Sequence, residues 1–155
     1  MDTNRLEQAT FRIEGGELRI DGGGTVSSRF ELAGGDLALL GSAGSTVSLS
    51  SSIDVTEDSR VLLDNNFFFD AETTGTGDLT FTAANLFQGI GQRLTVRNSN
   101  ENYSGDVTIG FGVDATFAFT DSLGTGDITV ADGSTLSFSS TFEGDFSYGL
   151  SLIHI

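Results

Sequence analysis

The chain contains no cysteine, no proline and no lysine, and it has a single histidine among 155 residues. Without cysteine, disulfides and thiolate metal sites are excluded. The 21 glycines, in the absence of proline, indicate many tight reversals made by flexible residues. Because the histidine is His154, in a non-repeating tail, we expect no catalytic triad that relies on a positioned imidazole.

Positive charge is also scarce, since seven arginines face 22 acidic residues and the formal net charge is −15. Residues 99–155 contain eight acidic residues and no arginine. Nucleic acids and anionic lipids are bound through lysine and arginine that neutralise phosphates. We therefore expect no nucleic-acid partner, and we interpret the acidic side chains as outward residues that keep a sheet soluble.

Long hydrophobic runs are missing as well, and no segment of about 18 apolar residues predicts membrane insertion. The first residues, Met1 to Glu7, lack the basic cluster and apolar stretch of a signal peptide. We expect either a cytosolic protein or an internal piece of a longer exported one. Residues 1–150 are predicted to form a single segment, and residues 151–155 a non-repeat tail that resembles translated primer sequence.

Polar and apolar residues alternate along the chain with a period of two, which is typical of half-buried strands. Glycine, asparagine, aspartate and serine occupy the breaks, and no window keeps a helical period. We therefore predict an all-β protein with almost no helix. The eleven predicted strands are Glu17–Ile20, Thr25–Leu32, Asp36–Leu40, Thr46–Ser50, Arg60–Leu63, Asp78–Thr82, Arg93–Val96, Asp106–Ile109, Thr116–Phe119, Asp127–Val130 and Thr135–Phe138.

One motif returns after 21 residues. Glycine, aspartate, an apolar residue, threonine and a second apolar residue occur at Gly105–Ile109 and again at Gly126–Val130, and a second alternating run follows each copy. Residues 75–81 match residues 124–130 at an offset of 49, and residues 35–39 form a weaker copy. Two strand patterns in a period of about 21 residues are typical of one coil of a β-solenoid.

Evenly spaced strands also fit a β-sandwich or an up-and-down barrel, but the repetition favours a parallel β-helix. In that fold, equivalent strands of successive coils lie side by side. Val107 and Ile128 are therefore predicted to stack inside the solenoid. Asp106 and Asp127 are predicted to form a ladder outside it.

The middle of the chain is less regular. Three phenylalanines follow one another at Phe67–Phe69, and in a strand at least one of them must point outward. We interpret this segment as a corner whose rings cap the edge of the core, with an exposed aromatic contact patch as the alternative. Residues 83–92 are predicted to form a turn or a short excursion.

Little in the sequence points to catalysis. Paired carboxylates can cleave glycosides, and with calcium and a basic residue they can eliminate across uronic acids on a β-helix face. The absence of lysine, and of arginine after Arg97, removes most groups that could bind an acidic sugar or act as its base. We predict that the protein is not an enzyme, with no catalytic, cofactor-binding or metal-binding residues.

Calcium is a separate question, because glycine- and aspartate-rich repeats of nine residues can bind it between turns. In Gly124–Ile128 the aspartate directly follows the second glycine, and the period is 21 residues rather than nine. We expect no cofactor and no specific calcium site, only weak, non-specific calcium binding to the acidic surface. A calcium-stabilised module remains a third interpretation.

The stretch from Leu94 to Leu136 resembles the autotransporter-associated β-strand repeat, through the asparagine-rich, Tyr-Ser-Gly and Gly-Asp motifs of residues 98–109 and through Ser122–Leu136. The resemblance is good over residues 94–138, whereas residues 11–82 share only its cadence. It implies a right-handed parallel β-helix with coils of about 20 residues. Such repeats belong to large surface passengers that Gram-negative and related bacteria export, and the resemblance brings no catalytic residues.

On this basis we expect a non-catalytic structural and adhesive segment of a bacterial surface-exposed or secreted autotransporter-like protein. The expected partners are host or cell-surface ligands or polysaccharide, the rest of its own passenger, and a translocator barrel. The expected location is extracellular or at the cell surface, anchored at the outer membrane through parts outside this chain. The alternative is a polysaccharide-binding or polysaccharide-cleaving β-helix, which requires a groove lined by arginine and aromatic residues beside clustered aspartates.

Overall fold

The computed structural model describes residues 9–41, 45–85, 91–119 and 121–139. In this part of the chain all regular structure is β, with no helix, and the strands form three sheets. Every pairing between strands is parallel. Parallel pairing excludes an antiparallel sandwich or barrel and confirms the predicted parallel solenoid, which has about six coils.

Each sheet collects one strand from successive coils. The first sheet contains β1 (Thr10–Glu14), β4 (Arg29–Ala33), β7 (Ser52–Glu57) and β10 (Glu72–Gly75). The second sheet contains β2 (Glu17–Asp21), β5 (Asp36–Leu40), β8 (Ser59–Asp64), β11 (Leu79–Ala83), β13 (Val107–Ile109) and β15 (Ile128–Val130). The third sheet contains β3 (Gly24–Val26), β6 (Thr46–Leu49), β9 (Asn66–Phe69), β12 (Gln92–Val96), β14 (Val113–Phe117) and β16 (Thr135–Phe138).

The register confirms the repeat. Leu79 pairs with Val107 and Val107 with Ile128, so the offset of 49 residues corresponds to two coils. The weaker copy at residues 35–39 also contributes to the second sheet, but its register is shifted by two residues. The motif aligns Leu37 with Leu79, whereas in the sheet both Leu37 and Phe81 pair with Val61. A shift of two residues is tolerated because it keeps the same side chains inside the solenoid.

The prediction of two strands per coil is wrong for the first four coils, which have three. The predicted strand Thr25–Leu32 is two strands, β3 and β4, separated by residues 27–28. Four further strands were not predicted, namely β1, β7, β9 and β10. Most of the missing strands belong to the first sheet, so the solenoid has a third side that the repeat motif did not indicate.

The first sheet ends after β10, and side-chain hydrogen bonds connect the later coils on that side. Asn100 is only 2% exposed, and its Oδ1 accepts from the N–H of Thr73 at 2.8 Å. Its Nδ2 donates to the carbonyl of Ser122 at 2.5 Å. One buried amide therefore connects three successive coils, and it satisfies backbone groups that would otherwise be buried without partners.

The three phenylalanines lie in β9, an ordinary strand, so the predicted corner is wrong. Phe67 and Phe69 point inward and are buried, and the ring of Phe69 packs edge-on against Phe81 with centroids 5.4 Å apart. Phe68 points outward and is half-buried, because the guanidinium of Arg97 lies 4.0 Å from its ring centroid. Strand alternation therefore decides which rings enter the core.

The corner between the second and third sheets varies in length from coil to coil. A single residue, Asn65, joins β8 to β9, and it adopts a left-handed conformation with φ of 79°. Its Nδ2 donates to the carbonyl of Gly41 in the preceding coil at 2.8 Å. Eight residues, 84–91, join β11 to β12. The turn or short excursion predicted for residues 83–92 overlaps this connection, but its first residue ends β11 and its last residue begins β12. Residues 86–90 and the predicted tail 151–155 lie outside the described residues.

Candidate functional site

The repeated glycine and aspartate lie at the corner where the chain enters the second sheet. We define the Gly-Asp corner as residues 77–78, 105–106 and 126–127. A Cβ atom on Gly105 would lie 2.0 Å from the carbonyl oxygen of Gly77, and one on Gly126 would lie 2.2 Å from that of Gly105. Because a backbone this close leaves no room for a side chain, glycine precedes aspartate in each of these coils.

The aspartates connect the coils on the outer surface. We define the aspartate ladder as Asp58, Asp78, Asp106 and Asp127. The backbone N–H of each later aspartate donates to Oδ1 of the one before it, at 3.1 Å for Asp78, 3.0 Å for Asp106 and 2.9 Å for Asp127. All four residues are exposed, so water screens the repulsion between neighbouring carboxylates. The prediction that Asp106 and Asp127 form an outward ladder is confirmed.

Tyr103 lies beneath the aspartate ladder and is 1% exposed. Its hydroxyl donates to the carbonyl of Gly77 at 2.8 Å. Burial raises the pKa of the Tyr103 phenol well above its usual value, and the negative charges of Asp78, Asp106 and Asp58 raise it further. The phenol is therefore kept neutral, as a donor that supports the Gly-Asp corner from inside.

This shift predicts a loss of stability in alkali. The pKa of Tyr103 is higher in the folded state than in the unfolded state, where the phenol has its usual value of about 10. Above that pH the unfolded chain loses the phenol proton while the folded protein keeps it, so ionisation favours unfolding and the free energy of unfolding falls as the pH rises. In a Tyr148→Phe background, where Tyr103 is the only tyrosine, the free energy of unfolding should fall by up to about 1.4 kcal/mol per pH unit above pH 10. Urea unfolding between pH 8 and pH 11.5 measures this slope.

Few other groups interfere with this measurement, since the chain has neither lysine nor cysteine. The control is the same background with Tyr103→Phe, which loses the bond to Gly77 and about 1–2 kcal/mol at pH 7. Its stability should stay nearly level above pH 10. Equal slopes in the two proteins would show that Tyr103 is not the responsible group.

An open groove lies beside the first two members of the aspartate ladder. It is lined by Gly34, Asp36, Asp58, Ser59, Arg60, Asp78, Thr80 and Thr108. Arg60 is held by Asp36 through two hydrogen bonds, Nε to Oδ1 at 2.9 Å and Nη2 to Oδ2 at 2.5 Å. The groove therefore brings carboxylates and a guanidinium together, and the described residues that line it include no aromatic side chain.

The groove meets only part of the requirement for a polysaccharide-active β-helix. Its carboxylates are clustered, but Oδ1 of both Asp58 and Asp78 already accepts a backbone hydrogen bond. Arg60 would have to leave Asp36 before it could bind an acidic sugar. Among the residues that the structure describes, no group of three or more His, Cys, Asp or Glu is placed to bind a metal ion.

A second polar cluster lies on the outer face of the third sheet, and the sequence analysis did not predict it. Arg97 donates to both carboxylate oxygens of Asp70, at 2.7 and 2.5 Å, while its guanidinium covers the ring of Phe68. These hydrogen bonds hold the pKa of Asp70 below its usual value against the opposing effect of partial burial, and Ser48 adds a further donor. The spacing of 27 residues between Asp70 and Arg97, which equals the local coil length, is the signal that could have revealed the pair.

The ion pair has a consequence for acid stability. Because the pKa of Asp70 is lowered in the folded protein, the pair stabilises the fold above about pH 4, the usual carboxyl value. This contribution disappears as the pH falls below that value and through the lowered one. The Arg97 side chain is 47% exposed and that of Asp70 is 24% exposed, so water still screens the pair and the net stabilisation is small, as for other pairs near the surface.

Comparison with known proteins adds no relative. No family model, no curated protein and no solved structure matches the chain. None of the described residues belongs to a helix with the length and hydropathy needed to cross a membrane. Functional inference therefore depends on the geometry of the solenoid and on the chemistry of its surface.

Proposed function

We propose that this chain is a non-catalytic structural and adhesive segment of a bacterial surface-exposed or secreted autotransporter-like protein. The main support is the Gly-Asp corner, where glycine, aspartate and tyrosine all take part in stacking one coil on the next. Side chains that could serve chemistry elsewhere are used here for coil-to-coil contacts. Repetition of one such corner along the axis is the design of an extendable spacer.

The length of the stack also supports a role within a larger assembly. Neighbouring strands in a sheet are about 4.8 Å apart, so six coils rise only about 24 Å between the first and the last. A spacer of this length gains reach when further coils of its own passenger continue the stack. The outward face, with rows of threonine and aspartate, provides a polar and acidic surface on which cell-surface ligands or polysaccharide could be bound.

A polysaccharide-binding or polysaccharide-cleaving β-helix is the second candidate. The groove beside Asp58 and Asp78 favours it, because it contains Arg60 next to clustered carboxylates. An acidic polysaccharide would compete with Asp36 for this guanidinium. Cleavage would require two carboxylates to act as acid and base across one glycosidic bond.

One experiment separates the two functions. The purified chain, immobilised on beads, is offered neutral and uronic-acid polysaccharides and cultured cells, while the same polysaccharides in solution are assayed for new reducing ends and unsaturated uronates. We expect adhesion to at least one of these surfaces and no new chain ends. Adhesion to none of them would overturn the adhesive part of the proposal.

A matched pair of variants interprets any cleavage. Asp78→Asn removes a charge from the groove and keeps a carbonyl that can accept the ladder hydrogen bond. Asp132→Asn removes an exposed charge outside the groove. If new polysaccharide ends are absent with Asp78→Asn but still form with Asp132→Asn, the polysaccharide-cleaving function would be established instead.

A further inference from the structure

The outer side of the third sheet differs in charge from the other two sides of the solenoid. We define the third-sheet face as the outward residues of this sheet together with Asp70 and Arg97, which directly follow β9 and β12. Within the strands, its charged residues are Arg93 and Asp114, so the face is formally neutral. The strands of the first sheet contain five acidic residues and two arginines. Those of the second contain four acidic residues and two arginines, with the aspartate ladder beside them.

A row of mostly hydroxyl side chains runs along the third-sheet face. The row takes one outward residue from each strand of the sheet, and none of the six is buried. Its members, in spatial order, are Thr25, Ser48, Phe68, Thr95, Thr116 and Ser137. Neighbouring strands are about 4.8 Å apart, so the hydroxyl groups recur at short, regular intervals. Each hydroxyl both donates and accepts hydrogen bonds.

Planar side chains are grouped on and around the same face. Among the described residues, the large apolar side chains that are exposed are those of Phe111, at 56%, and Phe119, at 50%. These two residues lie on either side of β14, one before its first residue and one after its last. Nearer the centre, the guanidinium of Arg97 covers the ring of Phe68 and is held by Asp70. Aromatic and arginine side chains are enriched where proteins bind partners.

We propose that the third-sheet face binds an extended, uncharged polysaccharide chain. The inference rests on the adhesive function proposed above, and it names the surface and the class of ligand. A sugar ring has apolar faces of C–H groups and a rim of hydroxyl groups. The C–H groups can pack on exposed aromatic rings, whose negative faces attract polarised hydrogen atoms. The hydroxyl rim can exchange hydrogen bonds with the threonines and serines of the row.

Charge favours a neutral chain over an acidic one. A polyanion approaching this face meets the field of a chain whose net charge is −15. Arg97 is already neutralised by Asp70, whereas the exposed Arg93 forms no ion pair with a described residue. The Arg93 guanidinium has five N–H donors, which sugar oxygens can accept without carrying a charge. The face therefore offers hydrogen bonds to an uncharged ligand and little attraction to an acidic one.

The size of the face argues against a folded protein as its partner. Six strands about 4.8 Å apart span about 24 Å, and a five-residue strand is about 17 Å long. The face therefore measures about 400 Å², whereas each partner in a standard protein–protein interface buries about 800 Å². Hydroxyl side chains also separate its aromatic rings, so no continuous apolar centre is formed. An extended polysaccharide needs no such centre, because each of its sugars makes a similar contact.

A charge introduced into the hydroxyl row tests the proposal. Thr116→Glu places a carboxylate on the third-sheet face, next to Thr95 and between the two exposed phenylalanines. Thr108→Glu is the matched control, because it makes the same exchange at a partly buried, outward threonine of the second sheet. The purified full chain and each variant are mixed with particles of cellulose, chitin and insoluble xylan, and with the carboxymethylated form of each. The protein left in solution measures binding.

We expect the parent chain to bind at least one of the three uncharged polysaccharides, and to bind the carboxymethylated form at least tenfold more weakly. Thr116→Glu should weaken binding at least tenfold, whereas Thr108→Glu should change it less than twofold. A second variant, Phe119→Ala, removes an exposed ring and should weaken binding at least threefold. Because this side chain is exposed, the midpoint of urea unfolding should stay the same.

Three results would overturn the proposal. They are binding to none of the uncharged polysaccharides, binding to a carboxymethylated form as tightly as to its parent polysaccharide, and equal loss of binding in Thr116→Glu and Thr108→Glu. Cells offered to the immobilised proteins test the adhesive function separately. If they adhere equally to the parent and to Thr116→Glu, the adhesive function stands and the third-sheet face is not its surface. A parent chain to which neither cells nor polysaccharides adhere would overturn both.

Discussion

Deleting residues 59–78 is expected to leave a folded solenoid that is one coil shorter. The deletion joins Asp58 to Leu79, and Leu79 is the residue that pairs with Ser59 in the next coil. The offset is also 20 residues in the other two sheets at this point, where Ser52 pairs with Glu72 and Val47 with Phe67. Every remaining strand therefore finds an equivalent partner, and far-UV circular dichroism should retain the β spectrum with a cooperative urea transition.

The matched control removes one residue more. Deletion of residues 59–79 joins Asp58 to Thr80, which moves Thr80 and Thr82 to inward positions and Phe81 to the surface. A slip of one residue exchanges the two faces of a strand, and each large side chain that leaves the core costs about 1.5–3 kcal/mol. We expect this protein to lose its cooperative transition or to be at least about 4 kcal/mol less stable than the shorter deletion. Equal midpoints for the two proteins would contradict the stacking register.

Gly105→Ala is expected to destabilise the protein by about 3 kcal/mol. The new Cβ would lie 2.0 Å from the carbonyl oxygen of Gly77 and 2.6 Å from the hydroxyl of Tyr103, so the coils must separate at the Gly-Asp corner. Overpacking of this kind costs about 1–3 kcal/mol, and disturbance of the tyrosine hydrogen bond adds to it. The midpoint of urea unfolding measures the change, provided that the slope of the transition is unaltered.

Gly16→Ala is the matched control, because within 4 Å its Cβ would meet only one atom of the described residues, the carbonyl oxygen of Glu14 at 3.9 Å. That distance is an ordinary contact, and alanine also reduces the conformational entropy of the unfolded chain. We expect its stability to stay within about 1 kcal/mol of the parent. If both substitutions had the same effect, the cost at Gly105 would not arise from the close approach of the coils.

Much of the solenoid was predictable because its second and third sheets follow the alternation rule. Val107 and Ile128 stack inside as the 21-residue repeat indicates, and the aspartates beside them form the expected ladder. The first sheet was missed for a specific reason. The clearest copies of the repeat, at residues 105–138, come from coils in which a turn replaces that side, so the motif contained no sign of a third strand.

The strands of the first sheet differ in how clearly the sequence indicates them. Ile53 and Val55 alternate in β7 and could have been recognised. In contrast, β10 consists of Glu72, two threonines and Gly75, and its only buried side chain is that of Thr73. No hydrophobic period marks such a strand. It exists because β7 offers a parallel partner and because Asn100 of the next coil binds its backbone.

The candidate site was less predictable, since it depends on distances between coils. The sequence shows that glycine precedes aspartate, but only the structure shows that the carbonyl of Gly77 excludes a side chain at Gly105. The Arg97–Asp70 pair likewise joins residues that are distant in the chain. Sequence periodicity gives the order of residues within a coil, whereas these contacts depend on which residues of neighbouring coils are paired. Paired residues are separated by 19 positions in one part of the chain and by 28 in another, so the pairing cannot be read from one fixed period.

The variable corner between the second and third sheets gives this architecture a means of diversification. The connection between these sheets is one residue long between β8 and β9 and eight residues long between β11 and β12, yet the strands on either side keep their partners in both sheets. A coil can therefore carry a longer connection at this point while its strands keep the same pairing. A lineage of such proteins could change what it presents to its surroundings, coil by coil, while the scaffold stays the same.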